Sequence, residues 1–339
     1  YAGPPVMDEC NAAIMASDWA YGFAARRMTA KFMDDARYHG GTRRPFFEGW
    51  YFKHAGEDGA FAAIPGVFHG KNRADDHAFI QVLFSSPPES HFVRFPAEVF
   101  SCDSRSFMVR IADNTFSLDG CRLSLPGIGL EASFQYGPRV PLNTSLISPT
   151  IMGPFAYLPG MQCRHGVLSL WHSVTGSMRC GGRRMDFDGA DGYIEKDWGS
   201  AFPDSWVWMQ CGDSRLTLMC AVASIPLKLI SFTGIICVLR DGNKQYQLAT
   251  YNGARVSNLE WKGRELLTEL SHKYYRLTVR AQVGAFGHLQ APTHTGMDRR
   301  IQESLETRFF VRLEHRGETV LHGNYTGGLE MLNVEELMK

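Results

Sequence analysis

Asp191-Gly-Tyr-Ile-Glu195-Lys-Asp197-Trp-Gly199-Ser-Ala-Phe-Pro203-Asp-Ser-Trp206-Val-Trp208-Met-Gln210 runs from a glycine turn through one strand, a break at Gly199–Pro203, and into a second strand. Side chains alternate faces along extended backbone, so Glu195 and Asp197 share one face and Lys196 points the other way. The break at 200–205 reads as a boundary between two domains. The run also packs acids against three tryptophans. Burial beside aromatic rings raises a carboxyl pKa, and ring faces stabilise cations, so chemistry is expected here first. A second run, Arg43-Arg-Pro-Phe-Phe-Glu48-Gly-Trp50-Tyr-Phe-Lys53, repeats the mixture.

Outward from these runs the chain is punctuated by short apolar stretches. Strands are expected at Phe61–Ile64, Ala78–Phe84, Phe107–Ile111, Thr115–Leu118, Val167–Val174, Trp206–Cys211, Leu216–Ala223 and Gly234–Leu239. Four more follow at Gln245–Tyr251, Tyr274–Gln282, Arg308–His315 and Val320–Tyr325. Asp241-Gly242 and Asp113-Asn114 mark turns. No helices alternate with the strands, which excludes a Rossmann-like sheet and predicts an all-β protein of sandwich or barrel type. A chain of 339 residues has room for two such domains, 38–202 and 203–339. Ile14, Trp19, Phe23, Met28 and Phe32 recur at near-helical spacing and predict a helical extension over 1–37.

Composition narrows the function. Thirty-five basic residues balance 35 acidic ones, which removes the general attraction that nucleic-acid binding uses. The eight cysteines form no CxxC pair, favouring free thiols in a reducing, cytoplasmic setting over disulfides or a zinc site. The opening residues do not resemble a secretory signal. The most apolar window, Leu216 to Leu239, is interrupted by Pro226, Lys228, Ser231 and Gly234, so two buried strands explain it better than a membrane span. An apolar rim still leaves room for peripheral membrane contact.

Four blocks carry a resemblance: Tyr38-His-Gly-Gly-Thr-Arg-Arg-Pro-Phe-Phe-Glu-Gly-Trp-Tyr-Phe-Lys53, Ile151-Met-Gly-Pro-Phe-Ala-Tyr-Leu-Pro159, Cys163-Arg-His-Gly166 and Gly192-Tyr-Ile-Glu-Lys-Asp-Trp-Gly199. Their identity and order resemble the tocopherol cyclase family from about residue 38 to the C-terminus. The resemblance implies a pair of lipocalin-like β domains, related to a hydroxyneurosporene hydratase and Diels–Alderase group, around a cavity for a hydrophobic small molecule. It also implies closure of a prenylated benzoquinol to a chromanol ring. An isoprenoid hydratase and a non-catalytic carrier are the rivals.

That cyclisation needs an acid to protonate an alkene, shelter for a tertiary cation, and a phenol oxygen held in bonding range. A carboxyl group kept neutral by burial can supply the proton. Asp197 is the first candidate, with Glu195 and Glu48 beside it. Trp50, Trp198, Trp206 and Trp208 could face the cation, and Tyr193, His69, His77 and His165 could contact the substrate. The competing structural account pairs one of the acids with Arg43, Arg44 or Lys53. His165 and His172, seven residues apart, fall on opposite faces and make no metal pair. The acids of Asp186–Glu195 miss the EF-hand spacing. Cys163 and Cys211 have no evident base partner. Neither metal nor cofactor is expected.

Overall fold

A computed structural model describes residues 35–40, 44–103, 107–227 and 230–337. The expected helical extension, apart from 35–37, lies outside the described residues, as does Arg43. Residues 36–339 cluster as one compact unit.

Two antiparallel sheets contain all the strands described in that unit. The first contains β1 (Phe46–Gly56), β2 (Gly59–His69), β3 (His77–Ser85), β4 (Pro88–Pro96), β5 (Phe100–Cys102), β6 (Met108–Ile111), β7 (Asn114–Ser117), β8 (Gly120–Leu125), β9 (Leu130–Tyr136), β10 (Cys163–Cys180), β11 (Arg183–Asp186) and β12 (Ala190–Gly199). Its order is β4-β3-β2-β1-β12-β10-β9-β8-β7-β6-β5, with β11 on β10. The second contains β13 (Trp206–Gly212), β14 (Leu216–Leu227), β15 (Ile230–Asp241), β16 (Lys244–Gln247), β17 (Arg255–Lys262), β18 (Glu265–His272), β19 (Tyr275–Gln282), β20 (Gly287–Ala291), β21 (Arg299–His315) and β22 (Glu318–Leu332). Its order is β16-β15-β14-β13-β22-β21-β19-β18-β17, with β20 on β21. The chain crosses between sheets after Gly199 and before Trp206.

Each expected strand falls on an observed one, and most extend further. Phe107, Leu118 and Tyr274 fall one residue outside β6, β7 and β19, and one expected end overruns further: β16 stops at Gln247, and a 3-10 turn occupies Thr250–Asn252. The Asp241-Gly242 turn joins β15 to β16, with Gly242 at φ 57°, where a side chain would strain the backbone. The apolar window becomes the β14–β15 hairpin. No helix among the described residues is long and apolar enough to cross a membrane.

Alternation divides the core into three layers. Trp50, Phe52 and Ile194 point into the interior of the first sheet, and Val207, Met209 and Cys211 into that of the second. Tyr51, Tyr193, Trp206 and Trp208 fill the layer between the sheets. The central pairs β1–β12 and β13–β22 therefore face each other with aromatic and polar side chains. Lys53 Nζ donates to Gln210 Oε1 at 2.7 Å across this junction, and Gln81 exchanges two hydrogen bonds with the backbone of Gln290.

Candidate active site

Glu195 and Asp197 project from β12 into the inter-sheet layer, as alternation requires. There they meet His165 from β10, the register partner of Asp197. His165 Nδ1 lies 2.9 Å from Asp197 Oδ1. Its Nε2 is 3.2 Å from Glu195 Oε2, but without the alignment of a hydrogen bond. Tyr193 O–H donates to the same Glu195 oxygen at 2.5 Å, and Trp208 Nε1–H, from the second sheet, at 3.0 Å. Burial opposes a charge on His165, but the two carboxyl groups outweigh it and raise the imidazole pKa well above its usual value.

His165, Glu195, Asp197 and Trp208 line a cavity of about 190 Å³ between the sheets, whereas Tyr193 bonds Glu195 and is not part of the lining. Phe47, Ile64 and Phe79 form part of its first-sheet wall, and Trp206, Trp208, Ala221, Leu289 and Ile301 part of the other. Phe155, Met161, Ile225 and Phe232, all only partly buried, also belong to the lining. Phe155 belongs to the 3-10 turn Gly153–Tyr157, and Leu146, Ile147, Tyr157 and Leu158 stand exposed on the same connection. A larger, open cleft of about 1380 Å³ is lined by Asp186, Asp188 and Asp213 together with apolar residues such as Leu266 and Phe309. It contains neither His165 nor the tryptophan pair.

Two acids that sequence reasoning passed over complete the layer. Glu330 on β22 lines the cavity, and Trp206 Nε1–H donates to its Oε1 at 2.6 Å. It lies opposite Trp208 on one side and Glu303 of β21 on the other. Gly328 gives the Trp208 ring its room, because a Cβ there would meet Cζ3 at 2.9 Å. Glu303 accepts the Tyr51 O–H at 2.5 Å, while its other oxygen is buried without a partner. Burial, with Glu195 adding like charge, pushes Glu303 up to about 7. Burial and Glu303 push Glu330 well above the carboxylate range. The available signal was an isolated Glu in Gly-Gly-Leu-Glu330-Met-Leu, where alternation turns one acid toward tryptophan.

The other expected site residues lie elsewhere. Glu48, on the interior face of β1, is fully buried with Lys196, whose Nζ is 2.6 Å from Oε1. Glu48 also accepts the His39 amide at 2.9 and 3.0 Å and the Gly40 amide at 3.3 Å. Trp50 and Trp198 shelter the Lys196 ammonium, their ring centroids 5.1 and 4.8 Å away, instead of facing the cavity. His39 stacks on Trp198 at 4.2 Å, and Lys196 also donates to the Arg37 carbonyl. This is a clasp between the 37–40 segment and the first sheet. His69 is held by Tyr38 and Asp76, and His77 by the Asp75 carbonyl. Neither lines the cavity.

The expected structural pairings also move. Arg44 binds Asp76 with both terminal guanidinium nitrogens at 2.6 Å, and Lys53 binds Gln210, so neither of these bonds reaches Glu195 or Asp197. His172 does face away from His165. It sits inside the first sheet, where burial lowers its pKa to about 3. Cys163 lines the cavity, but burial and then Asp197 hold its thiol well above the usual range, and burial pushes Cys211 up to about 12. Both are unsuited to nucleophilic attack. His165, Glu195 and Asp197 could each offer one atom to a metal within a 4.8 Å span. A cation there would displace the His165–Asp197 bond and compete with two donors on Glu195.

Comparisons with known proteins agree with this architecture. The sequence profile described as Tocopherol cyclase-like matches residues 150–331. A probable chloroplastic tocopherol cyclase of Oryza sativa subsp. japonica is 27% identical over 227 residues, covering 51% of this chain and 48% of the rice protein. The chloroplastic tocopherol cyclase of Zea mays is 46% identical over 37 residues, 11% of this chain and 8% of the maize protein. The chain thus spans about half, or less, of the curated relatives it matches. Among solved structures, an AttH candidate from Nitrosomonas europaea superposes with TM-score 0.56 at 14% identity, covering 87% of this chain and 94% of that one. CghA gives 0.54 at 12%, covering 85% and 88%. These two likenesses speak for the lipocalin-like, all-β fold alone. With more than half of its length matched by the profile, the chain belongs to the tocopherol cyclase-like family.

Proposed function

We propose that this protein closes a prenylated benzoquinol, or a similar isoprenoid-bearing phenol, to a chromanol-type ring by acid catalysis in the inter-sheet cavity. The observation that carries it is the His165–Asp197–Glu195 cluster opening into a cavity walled mainly by aromatic and aliphatic side chains. A carrier of apolar molecules needs only the apolar walls, and buried charge would cost it stability with no return in binding. A cyclase needs a polar group to hold the phenol and accept its proton. Asp197, bonded to His165 through Oδ1 and one quarter exposed, fits that task. Trp206 and Trp208 flank the same space and would face the tertiary cation without capturing it.

The cavity volume lies below the roughly 300–1000 Å³ usual for whole drug-sized ligands. It suits the reacting head and the first isoprene unit, with the tail leaving past Phe155 and Phe232. Organic extraction of the purified protein, followed by incubation with a prenylated benzoquinol, tests the proposal by mass spectrometry. A product of unchanged mass but different retention is expected. Quinol recovered unaltered would favour a carrier, and a gain of one water would make the protein a hydratase.

A further inference from the structure

We infer that Glu330 is the proton donor to the alkene, and that Glu303, its cross-strand partner, holds it ready by proximity. The inference rests on the cyclase proposal and assigns a role within it. Glu330 reaches the cavity from the second sheet, whereas Asp197 and His165 reach it from the first. Acid and base thus stand on different walls, as a reaction that protonates one end of a substrate and deprotonates the other requires.

The environment of Glu330 suits a neutral acid. Trp206 fixes Oε1, and the second oxygen makes no hydrogen bond among the described residues. Glu303 is buried beside it, with one oxygen committed to Tyr51 and the other unpartnered. Two carboxyl groups at facing positions, Glu303 fully buried and Glu330 partly so at the cavity wall, cannot both ionise cheaply, so the pair retains a proton. The surrounding charges divide the roles further: Glu195 and Asp197 add negative charge from β12, balanced by His165, while Lys53 draws on Glu303. Environments that push acids in one site apart assign the acid and the base.

The step balances without a cofactor. The alkene π pair takes the Glu330 proton at the less substituted carbon, leaving a tertiary cation and a Glu330 carboxylate. A phenol oxygen lone pair forms the C–O bond, and the phenolic proton passes to Asp197. Proton return to Glu330 restores the starting state.

E330Q keeps an acceptor for Trp206 but has no acidic proton. On a substrate the native protein converts, E330Q is expected to lose about 10²–10⁴-fold in kcat; an unchanged kcat overturns the assignment. E303Q removes the neighbouring carboxyl, so the high-pH limb of kcat should move to lower pH; a limb that stays in place removes Glu303 from the device. A readout without substrate separates this inference from the cyclase proposal. Difference infrared spectra at neutral pH should show a deuterium-sensitive protonated-carboxyl band in the native protein that E330Q lacks. Identical spectra would refute a neutral Glu330 whatever the substrate proves to be.

Discussion

Replacing Glu48 with Ala is expected to cost about 3–5 kcal/mol of stability, read as a lowered denaturant midpoint. Glu48 and the Lys196 side chain have no solvent exposure, so the change strands an ammonium in the interior of the first sheet. It also releases the His39 and Gly40 amides, and with them the clasp on residues 37–40. Adding Lys196→Met should recover part of the loss, because removing both charges is less harmful than removing one. Whatever folds should keep its chemistry, since Glu48 is absent from the cavity lining. A Glu48→Ala protein that is as stable as the native one but inactive would return Glu48 to the catalytic set.

Asp197→Asn should behave in the opposite way. Turnover is expected to fall by about 10²–10⁴-fold, while the unfolding midpoint changes little. The amide oxygen still accepts from His165, and the side chain is already one quarter exposed. What disappears is a carboxyl able to take the phenolic proton. Native turnover by the Asn variant would remove Asp197 from the mechanism.

These contrasting outcomes trace to one strand. Period-two alternation in β12 puts Glu195 and Asp197 on one face and Lys196 on the other, and this much was legible in the sequence. Alternation in β13 likewise showed Trp206 and Trp208 sharing a face. Which face met the other sheet was not legible, because it depends on packing between strands far apart in the chain. Trp50 and Glu48 therefore read like Trp208 and Glu195, yet they meet Lys196 in the interior instead. Glu303 and Glu330 were missed for the same reason. Each is an unremarkable acid in its own strand, and only the β21–β22 register places them opposite one another beneath two tryptophans. The site is assembled by pairing register, to which local propensity is blind.

The most direct measurement of acid-catalysed closure is the reaction of a prenylated benzoquinol with the protein in deuterium oxide, followed by back-exchange into water and mass spectrometry with NMR. If an exchangeable carboxyl proton attacks the alkene, the cyclic product keeps a single deuterium on the former alkene carbon next to the new C–O centre. A cyclic product with no carbon-bound deuterium would contradict alkene protonation in this cavity, and quinol recovered without conversion would contradict cyclase activity toward it.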